Sequence, residues 1–286
     1  MNRSQYFESK GTTVHGATHQ TPDAEPGRSR LRLPGTGPRP TPRIVTTGGL
    51  TSHVHFLAGP AASTRQVFVL LHGIGMSHRY YRRLQLLLAR HGDTLAIDLP
   101  GFGGTPTPDR QLSVADYAAH AAAVLEKMGA RRVVVVGQSM GTQFATELAV
   151  QRPDLVSHVA LLGPVVDPSR RTVLQQSLSL GVDCLKESPL ANAVVFTDYA
   201  RSGMRWYLTE VPVMMGYDLD ARLALVSQPV TVIRGSRDPI APRDWCEKLA
   251  ATAPHGRFLE IPGKPHLVQH GGAAGVAAEI LRLAAS

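Results

Sequence analysis

Ser139 stands in the sequence Gly137-Gln138-Ser139-Met140-Gly141, directly after the apolar run of residues 133–136. A serine delivered by a strand to such a turn, with a helix leaving from it, has the setting of a nucleophile. The two glycines are expected for steric reasons, because a Cβ at 137 or 141 would collide with neighbouring backbone. Strain in the turn would hold Oγ clear, where a base and a substrate carbonyl both reach it. Two more chemical groups follow strand-like runs. Asp238 comes after residues 230–233 through Arg234-Gly235-Ser236-Arg237, and His266 comes after residues 257–261 through Pro262-Gly263-Lys264-Pro265. The chain order serine, acid, histidine is that of a triad on an open parallel sheet. His266 would take the proton from Ser139 and later deliver it to the leaving group, while Asp238 holds the imidazole tautomer. Asp167, also just past a strand-like run, competes for the acid's role. Asp238 is preferred because its strand immediately precedes the one that delivers the histidine. His270, four residues beyond His266, is the spare histidine and is read as a surface or supporting residue.

Acyl transfer also needs backbone N–H groups aimed at the developing oxyanion. One is expected from Met140, at the start of the helix after the turn, where N–H groups are unpaired. The other is expected from the loop His72-Gly73-Ile74-Gly75, with Ile74 preferred and Gly75 next. His72 itself reads as a structural residue of that loop. The loop lacks the spacing of a phosphate-binding Gly-x-x-x-x-Gly-Lys, and Gly101-Phe102-Gly103-Gly104 lacks that of a dinucleotide-binding turn.

These groups require a scaffold that brings several strand ends to one edge. Continuous apolar runs at 67–71, 94–97, 133–136, 159–162 and 230–233 alternate with amphipathic segments at 80–91, 113–128, 140–151 and 243–251. Runs without alternation suit parallel strands buried on both faces, and such sheets bind ligands beyond the strands' carboxyl ends. A short antiparallel pair is expected before them, at 44–46 and 53–57 around Gly48-Gly49. Between about 165 and 228 the strands stop and helices are expected at 171–180, 189–197, 200–209 and around 213. An all-helical insert at this place reads as a lid. Its Phe196, Tyr199, Met204, Trp206, Tyr207, Met214 and Met215 could line a pocket. Helical spacing suggests a Tyr199/Trp206 stripe facing Ser139.

The composition narrows the function classes. The chain has 286 residues and a formal charge of +8, half of it contributed by residues 1–43, where seven basic residues stand against three acidic ones. That stretch is rich in Pro, Gly, Thr and Ser without apolar periodicity, so residues 1–42 are expected to form an extension without fixed structure. Its arginines are scattered, which argues against nucleic-acid binding. No run of 18 or more apolar residues and no signal-peptide pattern is visible, so a cytoplasmic protein that does not bind membranes is expected. Cys184 and Cys246 form neither a Cys-x-x-Cys pair nor a disulfide framework. The pairs His53/His55 and His266/His270 lack a third metal ligand in sequence. No cofactor and no metal are expected; the expected partner is a small ester-like substrate, with the protein a monomer or homodimer.

From about Arg43 onward the chain resembles the alpha/beta-hydrolase superfamily. The resemblance lies in His72-Gly73-Ile74-Gly75, Asp98-Leu99-Pro100-Gly101-Phe102-Gly103, the Ser139 turn, Gly235-Ser236-Arg237-Asp238-Pro239 and Pro262-Gly263-Lys264-Pro265-His266, all in family order. It implies an α/β fold with a mostly parallel eight-stranded sheet and a helical cap after the sixth strand. The core would then fall in residues 43–164 and 229–286, with the cap in 165–228. It supports Asp238 as the acid, after the seventh strand. Relatives that open epoxides or remove halogens carry aspartate as nucleophile, so Ser139 argues against both. The carbon–carbon bond hydrolases of aromatic ring cleavage share the Ser-Met-Gly elbow but commonly have Asn where this chain has Gln138. Ester hydrolysis through an acyl-enzyme, with thioesters and lactones as variants and an apolar small-to-medium substrate, is the leading expectation. Carbon–carbon cleavage, with Arg201 or Arg205 as a carboxylate clamp, comes second. Perhydrolysis and a non-enzymatic binding role like that of the superfamily's hormone receptors are further alternatives.

Overall fold

The computed structural model of the chain describes residues 38–60, 66–168 and 189–286. Residues 1–37, the helix expected at 171–180 and Cys184 lie outside the described residues. A hairpin opens the fold. Strand β1 (Thr41–Thr47) pairs antiparallel with β2 (Leu50–Leu57) about the Gly48-Gly49 turn, so regular structure begins three residues before Ile44. The remaining strands are β3 (Val67–Leu71), β4 (Asp93–Asp98), β5 (Val133–Gln138), β6 (Val156–Leu162), β7 (Val230–Gly235) and β8 (Gly256–Ile261). They form one eight-stranded sheet in the order β1-β2-β4-β3-β5-β6-β7-β8, antiparallel at its β1/β2 and β2/β4 pairs and parallel from β4 to β8.

The helices explain why the central strands lack alternation. Helices α1 (Arg82–Leu88), α2 (Val114–Lys127) and α3 (Gly141–Gln151) connect the first strands. After the helical cap, α7 (Arg243–Thr252) connects β7 to β8, and α8 (Val268–Gly271) and α9 (Ala273–Ala284) end the fold. On β5, Val133 and Val135 pack with α2 and α3 residues such as Tyr117 and Phe144. Val134 and Val136 pack on the opposite face with Leu84 and Val276. Each residue of such a strand meets an apolar layer, so each is apolar. Helix α2 starts at a full capping box: Ser113 Oγ accepts the Asp116 N–H, and the Asp116 carboxylate accepts the Ser113 N–H. Strand order reverses on either side of β3, which opens a crevice at the carboxyl ends of β3 and β5.

The cap follows β6. Helix α4 (Pro189–Ser202) and helix α5 (Met204–Gly216) are separated by Gly203 at φ +78°, and the short α6 (Leu219–Leu223) leads back to β7. The helices expected to break near residue 198 therefore break at Gly203, the one residue there that adopts a left-handed turn without strain. The expected Tyr199/Trp206 stripe does not form, because the two residues lie on different helices. The Tyr199 ring fills the space above Gly75 with Tyr207 beside it, and Trp206 lies against Gly101. The cap is tied down by Ser77 Oγ–H and Arg79 Nη1–H donating to Asp198 at 2.6 and 2.8 Å, and by Ser202 Oγ–H donating to the Gly75 carbonyl at 3.2 Å. At its far end Arg222 and Tyr217 both bond Glu147 on α3. No helix among the described residues is long and apolar enough to cross a membrane.

Candidate active site

Ser139 follows the last residue of β5 and adopts φ +54°, a left-handed conformation disfavoured for a residue with a Cβ. The turn is tight enough to dictate its flanking residues. A Cβ at Gly137 would lie 2.1 Å from the Gly141 carbonyl oxygen, and one at Gly141 would lie 2.2 Å from that of Leu71. The turn is secured from both sides: the Ser139 N–H donates to the Leu162 carbonyl at 2.9 Å, and the Thr142 N–H and Oγ1–H both donate to the Ser139 carbonyl.

His266 and Asp238 meet beside it. The His266 Nδ1–H donates to Asp238 Oδ2 at 2.8 Å, with both side chains buried. The other oxygen, Asp238 Oδ1, accepts the N–H groups of Ile240 and Ala241 at 2.8 and 3.0 Å. The acid loop is stapled to the histidine loop by Arg237 N–H to the Lys264 carbonyl and Gly263 N–H to Ser236 Oγ. Arg234 braces it further, donating to the Asp238 and Ala241 carbonyls and pairing with Glu260. The residue after Leu162, Gly163, packs under this pair: a Cβ there would lie 3.0 Å from the His266 ring and 3.1 Å from Asp238 Oδ2. The end of β6 thus touches the serine on one side and the histidine–aspartate pair on the other. Asp167 is buried further along the chain after β6, and the carboxylate bonded to His266 is that of Asp238. His270 is buried on α8, its carbonyl accepting Arg83.

The loop after β3 supplies the facing wall. His72 is spent on holding it. Leu99 N–H donates to Nε2 at 3.0 Å, so Nδ1 carries the proton and donates to the Gly73 carbonyl at 2.8 Å. Burial lowers the His72 pKa, which favours this neutral form. Gly73 N–H donates to Tyr80 Oη at 2.8 Å, so the first free N–H of the loop is that of Ile74. Among the described residues neither the Ile74 N–H nor the Met140 N–H has a hydrogen-bond acceptor. These are the two donors the sequence pointed to for an oxyanion.

Sequence reasoning passed over Tyr80 and Gln138. Tyr80 Oη–H donates to Gln138 Oε1 at 3.0 Å, and Gln138 Nε2–H donates to the His266 carbonyl at 3.4 Å. The only sequence signal was that Gln138 departs from the Asn of ring-cleavage hydrolases. Tyr80 opens the amphipathic segment 80–91, where an aromatic residue gives no sign in sequence that its hydroxyl is used.

Among the described residues, His55 on β2, His78 in the turn before α1 and Asp98 at the end of β4 form a group of metal-ligand type. Asp98 Oδ2 accepts N–H bonds from His55 at 3.0 Å and His78 at 2.9 Å, and Oδ1 accepts the His78 backbone N–H. Burial alone would raise the Asp98 carboxyl, but the two imidazole bonds outweigh it and hold it well below the usual carboxylate range. The two rings stack at 3.3 Å with 15° between their planes. In this arrangement a ring nitrogen of each histidine is spent on the buried Asp98 carboxylate, which the pair anchors.

In the cap, Glu210 is buried one turn beyond Trp206. Neither its carboxylate oxygens nor Trp206 Nε1 has a partner at hydrogen-bond geometry; Tyr117 and the Leu112 backbone are the nearest polar neighbours of Glu210. Burial pushes its carboxyl up to about 7.

Comparison with known proteins places the architecture. A family profile described as the alpha/beta hydrolase fold matches residues 66–181. The chain is 26% identical over 220 residues to an (E)-2-((N-methylformamido)methylene)succinate hydrolase of Acinetobacter baylyi, covering 70% of this chain and 83% of that protein. It is 30% identical over 127 residues to a 2-hydroxy-6-oxo-2,4-heptadienoate hydrolase of Pseudomonas putida, covering 43% of this chain and 44% of that relative's length. Among solved structures, the enol-lactonase of Burkholderia xenovorans superposes with a TM-score of 0.74 at 18% identity, covering 85% of this chain and all of that one.

Proposed function

We propose that the chain, whose residues 66–181 match the alpha/beta hydrolase fold profile, is a member of that superfamily and a serine hydrolase that cleaves a carboxylic ester, or a related thioester or lactone, through an acyl-enzyme. The observation that carries the reading is the 2.8 Å bond from His266 Nδ1 to Asp238 beside a serine at φ +54°. With Nδ1 committed to the aspartate, Nε2 is the nitrogen left to act as base. Ser139 Oγ attacks the substrate carbonyl as His266 Nε2 takes its proton. The carbonyl oxygen becomes an oxyanion, for which the unspent N–H groups of Ile74 and Met140 are the donors. The tetrahedral intermediate collapses, the carbon–oxygen bond breaks, and His266 returns the proton to the leaving alkoxide. Water then repeats the sequence on the acyl-enzyme and frees the acid. Tyr199 and Tyr207, whose rings meet tilted at 51° over Gly75, form an apolar cover on the loop that carries the Ile74 donor. This supports an apolar small-to-medium substrate and makes Tyr199, not Trp206, the cap residue assigned to the substrate pocket.

One observation favours a second reading. The similarity to a 2-hydroxy-6-oxo-2,4-heptadienoate hydrolase supports carbon–carbon cleavage by the same serine and histidine. That reaction would need a cation for the substrate carboxylate, and Arg201, which reaches over Gly104, is the candidate. The test has two steps. A fluorophosphonate should add one adduct, located on Ser139 by peptide mass, and Ser139→Ala should lose both the label and turnover. Undiminished labelling of the mutant would overturn the assignment. A panel of p-nitrophenyl esters, thioesters, lactones and a ring-cleavage dienoate then separates the two readings.

A further inference from the structure

Three loops distant in sequence converge under Ser139, and one side chain touches all of them. Gln138 is buried at the end of β5, immediately before the serine. Its amide oxygen accepts the Tyr80 hydroxyl at 3.0 Å, and its amide nitrogen donates to the backbone carbonyl of His266 at 3.4 Å. Tyr80 in turn accepts the Gly73 N–H at 2.8 Å. Gly73 also abuts the serine: a Cβ there would lie 3.0 Å from Ser139 Cβ and 3.2 Å from Gln138 Oε1.

The direction of this chain of bonds is fixed. Burial raises the Tyr80 phenol far above its ordinary value, so the hydroxyl keeps its single proton. With a lone pair taken by Gly73 N–H, that proton goes to Gln138 Oε1. The amide is then oriented with Nε2 toward His266. A flipped amide would face the tyrosine proton with two N–H donors and the His266 carbonyl with a lone pair. The order is therefore Gly73 N–H to Tyr80, Tyr80 O–H to Gln138, and Gln138 N–H to His266.

We propose that Gln138 is a positioning residue that fixes the loop carrying the proposed base, His266, in register with the loop carrying the proposed oxyanion donor, Ile74. The catalytic part of this assignment rests on the serine-hydrolase reading; the tether itself does not. Gln138 touches no reacting atom. It acts by holding together two loops that follow β3 and β8, strands separated in the sheet by β5, β6 and β7. The length of the side chain matters. An Asn at 138 is one methylene shorter, about 1.5 Å, and cannot span from Tyr80 Oη to the His266 carbonyl. Glutamate keeps the acceptor for Tyr80 but replaces the donor to His266 with an oxygen that repels the carbonyl.

The experiment compares Gln138→Met, Gln138→Glu, Tyr80→Phe and the Gln138→Met/Tyr80→Phe double variant. Hydrogen exchange by mass spectrometry comes first, because it is independent of activity. Gln138→Met should speed exchange in peptides covering both 72–76 and 262–268, while peptides over β1 and β2 stay unchanged. Tyr80→Phe should do so at 72–76. Unchanged exchange at both loops in Gln138→Met would overturn the tether. Kinetics on p-nitrophenyl acetate come second, with active sites counted by fluorophosphonate. Loss of alignment at a reacting centre costs on the order of 10- to 100-fold. That loss is expected in kcat, with KM within about twofold, and the double variant should be no slower than the slower single one. Gln138→Glu should lose most. Wild-type kcat in Gln138→Met, or a loss matched by fewer labelled sites, would overturn the positioning role. If the wild-type protein is neither labelled nor active, the serine-hydrolase reading fails, and the exchange data still decide whether the tether exists.

Discussion

The loops beneath Ser139 and the cap above them treat buried polar atoms differently. Below, His72, Tyr80, Gln138 and Asp238 each have partners for their buried nitrogen and oxygen atoms, and the bonds run in directions that leave one arrangement. Above, Glu210 and Trp206 Nε1 are buried on one face of α5 without a partner at hydrogen-bond geometry. Leu190, Phe196, Met204 and Leu208 stand exposed on the same two helices. A fully matched network specifies a single geometry, whereas an unmatched buried group costs stability and lets competing arrangements lie closer in energy. On the serine-hydrolase reading, the floor is the part expected to hold still during reaction and the cap the part expected to shift around a substrate.

The comparison breaks or holds at its most rigid point first. Asp238→Asn keeps the shape but supports the wrong imidazole tautomer, and kcat/KM should fall by about 10⁴-fold, as when a triad aspartate is replaced elsewhere. Asp167→Asn should fall far less. The reverse order, with both variants folded by circular dichroism, would move the acid's role to Asp167. Trp206→Ala should act on the cap as a whole, because the indole packs on Gly101. Truncating a buried tryptophan costs about 3–5 kcal/mol, which lowers Tm by on the order of 10 °C. The loss of activity should be equal from acetate to octanoate esters. A loss that grows with acyl length would return Trp206 to the substrate wall.

Glu210→Gln probes the unmatched carboxyl by pH. In the folded protein this group holds its proton up to about pH 7, while in the unfolded chain it releases it near 4.5. The native state therefore binds more protons between those values, and the group's ionisation erodes stability as pH rises through that window. Gln138 and the floor are untouched by the change. Glu210→Gln should be more stable than wild type above pH 7, by about 3 kcal/mol, and the gap should close below pH 4.5. A constant gap at every pH would show that Glu210 is not the titrating group. Arg79→Ala is the mildest test. It removes one of two partners of buried Asp198, and a partly exposed arginine pair of this kind contributes about 1 kcal/mol or less. KM should rise slightly with kcat unchanged. A fall in kcat alone would mean that the cap latch reaches into the floor.

Much of the floor was legible in the sequence because each of its motifs satisfies a local demand. Gly137 and Gly141 are required because a Cβ at either would lie 2.1 or 2.2 Å from a backbone carbonyl oxygen, and such demands leave marks on residue type. The strands at 67–71 and 230–233 were legible because burial on both faces removes every polar residue. The tether through Tyr80 and Gln138 was not, since it joins residues 58 positions apart, and a buried tyrosine reads the same whether or not its hydroxyl is used. The cap was read least well. Between residues 189 and 216 the helices break at Gly203 while Pro212, the stronger breaker by residue type, lies inside α5, so residue type alone does not mark where α4 ends. That break turns Tyr199 and Trp206 to different parts of the floor, which helical spacing could not foresee.

Ser139 has a consequence for how such a sequence drifts. An L-residue at φ +54° is held in a conformation that costs about 1–2 kcal/mol relative to one that glycine adopts freely. Selection for a sturdier fold alone would therefore favour glycine at this position. The serine opposes that pull at a single residue, and on the serine-hydrolase reading a benefit drawn from its hydroxyl offsets the cost. A library of variants sorted first for thermal survival and then for esterase turnover would expose the two pressures separately: Ser139→Gly enriched by the first, and eliminated by the second.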